Sequence, residues 1–179
     1  MLLAFTGLRV REALALTWAE VDLDEAVIRI ERQPADDDRG HLEVKTVNAE
    51  RELPLYPRLR RVLVEHKLAS PWKADDDPVF AAGRRRPKGY RNALRSLAET
   101  VARAKIEVAD DERLSLHSLR HTYTSHLIVR LELDAATTSK LAGHANPQVT
   151  MRVYADDFRK ASERHAAVLA RAAERGFGT

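Results

Sequence analysis

The stretch Leu114-Ser115-Leu116-His117-Ser118-Leu119-Arg120-His121-Thr122-Tyr123-Thr124-Ser125-His126 constrains the fold more than any other part of the chain. At 100° per residue it is a helix with two different sides. Leu116, Leu119, Tyr123 and Leu127 form an apolar stripe. His117, Arg120, His121 and Thr124 run beside it, because residues three and four apart are neighbours on a helix. Ser115 is placed to cap the helix start. A buried stripe would therefore hold imidazole and guanidinium groups at one edge of a core. Guanidinium is a permanently charged fork of donors, and imidazole holds or releases a proton near neutral pH. That set suits a phosphate. A helix whose cationic edge simply faces water is the other reading of the same pattern.

The chain has 179 residues, enough for one domain with a sizeable core. Its 44% hydrophobic and 32% charged residues are those of a soluble globular protein. Thirty Lys and Arg against 27 Asp and Glu leave a net charge of +3, with a pI near 9.3. This balance permits a nucleic-acid partner and shifts the question to where the charge lies. The absence of cysteine excludes disulfides and thiolate metal sites, and fits a reducing, cytoplasmic compartment. No apolar run approaches the roughly 18 residues of a membrane helix. Met1 to Phe5 lacks the basic start and cleavage site of a signal peptide. No internal repeat is present.

In chain order, residues 1–5 read as the end of an apolar helix, closed by Thr6-Gly7 with Gly7 in a left-handed position. A second helix is expected over residues 9–17, buried through Leu8, Ala13, Leu14 and Leu16. Arg9 stands at the break, and Glu12 lies one turn on, within its reach. Residues 27–32 form a β-branched strand. Residues 41–46 form a second, with Leu42, Val44 and Thr46 on one face and Glu43 and Lys45 on the other. Residues 51–55 form a third, with Pro54 marking an edge. The three predict a small antiparallel sheet with Lys45 near a hairpin tip.

A helix over residues 57–69 carries Pro57 in its first turn, and Val79-Phe80 is a short extended piece. Arg84-Arg85-Arg86-Pro87-Lys88-Gly89-Tyr90-Arg91 is the densest basic run. It can neutralise nucleic-acid phosphates through Arg84, Arg85, Arg86, Lys88 and Arg91, or stand as a solvated loop. A helix then extends to about residue 105, the opening helix to about 130, and one capped by Asp134 to about 142. The turn from Gly143 to Pro147 puts His144 on a loop. Helical character resumes over residues 148–155 with Tyr154. An Ala-rich helix over residues 157–175 ends at Gly176. Its thin apolar side either packs within its own domain or docks on another subunit. The whole reads as α+β, predominantly α-helical.

Four segments resemble a known family. Thr6-Gly7-Leu8-Arg9-Val10-Arg11-Glu12 looks like the first arginine motif of the tyrosine recombinases, or phage integrases. Val44-Lys45-Thr46 followed by Arg51-Glu52-Leu53-Pro54-Leu55 resembles their lysine-bearing hairpin. Leu116-His117-Ser118-Leu119-Arg120-His121 resembles their His-x-x-Arg motif. Leu141-Ala142-Gly143-His144, then Thr150 and Tyr154, resembles their closing histidine and tyrosine. The matches fall in family order over nearly the whole chain.

The resemblance implies a helical catalytic domain over residues 1–179 with a small three-stranded antiparallel sheet. It also implies that the family's first helical segment and N-terminal DNA-binding domain are missing. The reaction would be strand exchange in double-stranded DNA. Tyr154 would attack a backbone phosphate, leaving a 3′-phosphotyrosyl link and a free 5′-hydroxyl. Arg9 and Arg120 would bind the non-bridging oxygens, and Lys45 would protonate the departing 5′-oxygen. His117 would move the tyrosine proton and His144 would hydrogen-bond the phosphate, with Glu12 and His121 in support. No metal or other cofactor is implied. The chain would assemble with copies of itself, as a tetramer, on DNA, with no membrane partner.

Three rival readings use the same residues. One is an inert DNA-binding remnant of an integrase, which would give no Tyr154-dependent covalent capture. Another is a zinc enzyme built on His117 and His121 at i, i+4 spacing with His144 or His126. It lacks the general-base glutamate of that motif, since position 118 is serine. The third is a relaxing enzyme of type IB topoisomerase kind; the four motifs as spelled look more like the recombinases.

Overall fold

Gly7 makes the first corner of the chain. In the computed structural model, which describes residues 1–30, 51–83, 85–106, 114–144 and 146–174 (165 and 167–174 by backbone alone), α1 spans Leu2–Thr6. It stops because Gly7 takes φ 63° and ψ 15°, and its N–H closes on Leu3 O at 3.0 Å. That left-handed corner is the one expected from Thr6-Gly7, and a residue without Cβ adopts it at no steric cost. α2, Val10–Ala15, then starts from Arg9 as its N-cap. It is shorter than the expected 9–17. Thr17 instead opens a 3-10 turn, Trp18–Glu20, because the Glu20 carboxylate accepts the Thr17 N–H at 2.8 Å.

β1 (Val21–Asp22), β2 (Val27–Ile30) and β3 (Arg51–Pro54) form an antiparallel sheet in that order. Ile28 stands opposite Val21 on one side and Leu53 on the other, and all three are buried. The expected small antiparallel sheet is present, with a different set of strands. β1 comes from a segment with no strand signal, being only a two-residue piece held by its pairing to β2. The expected strand over 41–46, with Lys45, lies outside the described residues. Among the described residues β3 is an edge, and Pro54, which has no N–H to donate, pairs with Val27 there. A second, two-stranded sheet joins β4 (Ala81–Ala82) to β5 (Arg86–Pro87).

The chain divides into two compact units, residues 1–123 and 124–179. In the first, Leu8, Leu16, Trp18, Ile28 and Leu53 are at most 2% exposed. α3 (Pro57–Ala69) adds Leu59 and Leu63, one turn apart, and α4 (Tyr90–Arg103) packs Ala93 and Leu97 against the same core. Leu116 and Leu119, from the first turns of α5 (Leu116–Val129), complete it.

The second unit holds the remainder of α5 with α6 (Ala135–Ala142), α7 (Pro147–Val153) and α8 (Ala155–Glu174). Asp134 caps α6 as expected, its Oδ1 accepting the N–H groups of Ala136 at 2.8 Å and Thr137 at 2.9 Å. Gly143 ends that helix at φ 67°. The expected helix 148–155 ends two residues earlier, at Val153. Tyr154 is the junction between α7 and α8, at φ −115° and ψ 26°.

A Cβ built on Gly7 would lie 2.2 Å from Cδ1 of Tyr123. Gly7→Ala combines that clash with left-handed backbone, and is expected to cost about 2–4 kcal/mol. Urea unfolding checks this as a lower midpoint at unchanged slope. Gly83→Ala, with nothing within 4 Å of the new Cβ, should change stability by less than about 0.5 kcal/mol.

Candidate active site

In the first unit the site is built around a buried carboxylate. Glu12 is 4% exposed. Its Oε2 accepts the Arg9 backbone N–H at 2.8 Å, and its Oε1 accepts from Arg9 Nη1 at 3.0 Å. This is a capping box in which the carboxylate fixes both the backbone and the side chain of the N-cap residue. The pairing of Arg9 with Glu12 is the one expected from their spacing. The sequence reading assigned no partner to Arg51, whose Nη2 lies 2.8 Å from Glu12 Oε2 and whose Nη1 lies 3.4 Å from Oε1. The Arg51 side chain is 5% exposed. The signal was available in β3, where Arg51 shares the inward face with Leu53.

α5 carries the next group. Ser115 caps it: its Oγ accepts the Ser118 N–H at 3.0 Å, while Ser118 Oγ accepts the Ser115 N–H at 2.9 Å. The apolar stripe turns Arg120 inward with it, to 4% exposure, and Arg120 Nη1 donates to Gly7 O at 2.5 Å. A cationic edge facing only water is therefore not what this helix presents. His117 is exposed, and its ring meets His121 edge-on with centroids 4.5 Å apart. Partial desolvation, then the positive charge at His121 and Arg120, lowers the His117 pKa below the ordinary histidine value. Burial pushes the Tyr123 phenol up to about 12. Among the described residues no three His, Asp or Glu side chains come together as metal ligands.

The second unit, taken by itself, carries His144 and Tyr154. His144 sits on the expected loop after Gly143, and its backbone N–H closes on Ser139 O at 2.9 Å. Its Nδ1 lies 2.6 Å from Oγ1 of Thr150, which is fully buried. The His144 and Tyr154 rings stack at 6.4 Å with an interplanar angle of 17°. Tyr154 is 5% exposed. The two aspartates after it have separate duties: Asp157 accepts from Ser125 Oγ at 2.6 Å, and Asp156 pairs with Arg159 at 3.2 Å.

The basic run is split between internal pairing and exposure. Arg85 is held by Asp77 at 2.6 Å and by Asp76 at 3.0 Å. Lys88 Nζ donates to Ser96 Oγ at 2.7 Å. Arg86 and Arg91 are exposed. Arg84 and Lys45 lie outside the described residues.

Residues 1–160 match the model of the phage integrase family. The chain belongs to the phage integrase family. It is similar to the tyrosine recombinase XerC-like protein of Caldanaerobacter subterraneus subsp. tengcongensis, 28% identical over 176 residues, which cover 86% of this chain and 44% of the relative. It is also similar to the integrase of Staphylococcus phage L54a, 26% identical over 163 residues, 84% of this chain and 45% of that one. The chain thus spans about half the length of the curated relatives it matches. Among solved structures, the Tn1549 transposon integrase in complex with a circular intermediate DNA has a TM-score of 0.70 at 20% identity, over 91% of this chain and 56% of that one. The tyrosine recombinase catalytic fold is the observed fold. Among the described residues no helix is long and apolar enough to cross a membrane.

The family motif around Arg9 rests on the charge of Glu12. Burial alone would raise its pKa, but the Arg51 fork and the Arg9 N–H and side chain outweigh burial and hold it below the ordinary 4.5. The unfolded chain then takes up the proton first. This contribution to stability is complete above the ordinary value and is lost as pH falls through the lower folded one. Glu12→Gln is expected to cost about 3 kcal/mol at neutral pH. In urea unfolding across pH, its deficit against the parent should shrink below about pH 4.

Proposed function

We propose that this chain is the catalytic portion of a site-specific DNA recombinase that cuts and rejoins strands through a 3′-phosphotyrosyl intermediate. The observation that carries the reading is the hydrogen bond from Arg120 to Gly7 O. It brings together the two arginine motifs, whose bonded residues are 113 positions apart in the chain. Arg9 and Arg120 bind the non-bridging oxygens of one phosphodiester and hold the charge that grows on them. Each such donor contributes on the order of 3 kcal/mol of transition-state stabilisation.

The nucleophile is Tyr154. Tyr123 is unsuited, because its phenol is raised to about 12 and its ring packs on Gly7. The Tyr154 Oη forms a bond to phosphorus while the bond from phosphorus to the 5′-oxygen breaks. Its proton passes to His117, whose lowered pKa keeps the ring neutral and able to accept at pH 7. Lys45 gives a proton to the 5′-oxygen, and His144, held at Nδ1 by Thr150, donates to the phosphate. Attack by a 5′-hydroxyl on the phosphotyrosine reverses the step, so the phosphodiester energy is conserved. The arginines supply the positive charge on which the step depends. Tyr154 is buried, and the reading requires that the α7–α8 junction carry it outward when DNA binds. Arg86 and Arg91 meet DNA backbone, which makes binding salt-dependent. Pairing of two DNA sites calls for several copies, a tetramer on the two duplexes.

Covalent capture tests the proposal. The protein is incubated with supercoiled plasmid and with nicked duplexes, stopped with detergent, and analysed for DNA-linked protein. The parent should form an adduct that maps to Tyr154. Tyr154→Phe should form none, and Arg120→Ala should fall by about 100-fold. An adduct that persists in Tyr154→Phe would sink the assignment of the nucleophile. DNA binding with no adduct, also in a chain extended upstream, would favour the inert remnant.

A further inference from the structure

We infer that Arg51 is a positioning residue that acts through Glu12 to hold Arg9, and that ties Arg9 to the start of β3. The inference rests on the recombinase reading for what Arg9 does, but its own physical content is the three-residue cluster.

Glu12 is buried and uses both carboxylate oxygens on two guanidinium groups. Arg51 meets it as a two-pronged fork from the sheet, and its side chain is 5% exposed. Arg9 meets it with Nη1 and its backbone N–H, and its side chain is 40% exposed. The two arginines have different tasks. Arg51 neutralises a carboxylate that could not stand alone in the core. The two guanidinium groups share this one carboxylate, and Arg9 is the one of the two that reaches solvent. Without Arg51, Glu12 would have Arg9 as its main counter-ion, and the Arg9 charge would be spent on the carboxylate instead of a phosphate. Lysine cannot replace Arg51 fully, because a single ammonium lacks the planar fork that fixes the carboxylate in orientation.

Arg51 also opens β3 directly across from Ile30, the last residue of β2. In the sequence, residues 31–50, with Lys45 among them, lie between these two positions. The Glu12–Arg51 fork thus fastens the loop that presents Arg9 to the start of β3. Glu12 and Arg51 are 39 positions apart in the chain.

The test uses Arg51→Lys, Arg9→Lys and the double variant in the full chain, with supercoiled plasmid as the probe. Arg51→Lys should slow adduct formation at saturating DNA by about tenfold, with plasmid affinity unchanged. In the Arg9→Lys background the same change should cost less than about twofold, because a residue acting through Arg9 has nothing left to position. Losses that simply multiply would overturn the inference.

A second readout does not depend on cleavage. Hydrogen exchange at the Arg9 amide, which Glu12 covers, should quicken about fivefold in Arg51→Lys while amides of α7 keep their rates. An unchanged Arg9 rate would also overturn the inference. If neither the parent nor a chain extended upstream forms an adduct, the recombinase reading fails and the exchange result still decides the role of Arg51. Should Arg51→Lys not fold, Glu12→Asp shortens the same link and is read in the same two ways.

Discussion

A single carboxylate in the core organises the first unit. Glu12 accepts an N–H from the start of α2, a guanidinium from the same corner and a guanidinium from the sheet. A buried charge of this kind is tolerable only when its lone pairs are taken up, and each partner it recruits is thereby fixed in turn. Helix start, sheet edge and arginine loop consequently share one point of attachment. Replacing the cluster by apolar residues of equal volume could leave the fold as stable or more so. Of the two cations, Arg9 is the one that reaches the surface.

The second constraint is steric. Gly7 turns the chain, lets the Tyr123 ring lie against its backbone, and presents its carbonyl to Arg120. No residue with a side chain could serve all three, since the ring already occupies the space of a Cβ. The corner between α1 and α2 is thus fixed from outside by α5 and from within by Glu12. Backbone that would otherwise be a loose connection becomes rigid enough to hold a side chain at a set place.

Much of this was legible from sequence because it depends on local rules. The α5 stripe, the Ser115 cap, the Gly7 corner, the Asp134 cap and the loop position of His144 all follow from side chains a few positions apart. What escaped was non-local or too short to pattern. β1 has two residues and exists through its pairing with β2. Arg51 was read as the start of a strand and as part of the family's hairpin motif, without a partner, although its inward register calls for a buried acid, and the acid is 39 residues earlier. The break at Tyr154 has neither glycine nor proline to announce it, and the helical period runs on through it. The basic run was visible as composition, but composition could not say that Arg85 is committed to Asp76 and Asp77.

The cap on α5 has a consequence for the ionic character of its first turn. A capping box commonly pairs a hydroxyl with a carboxylate, which brings a negative charge to the start of the helix. Here two serines exchange hydrogen bonds, and the N–H groups of Ser115 and Ser118 are satisfied with no charge at all. A glutamate at position 118 would cap as well, but it would stand beside His117 and within about one screening length of Arg120. It would draw a proton onto the imidazole and oppose the approach of an anion. Two hydroxyls keep the helix start intact and the local field positive, so the most conservative-looking change to the cap, serine to the acid usually found there, would alter the electrostatics and forfeit the bond that Ser118 Oγ donates to Ser115 O.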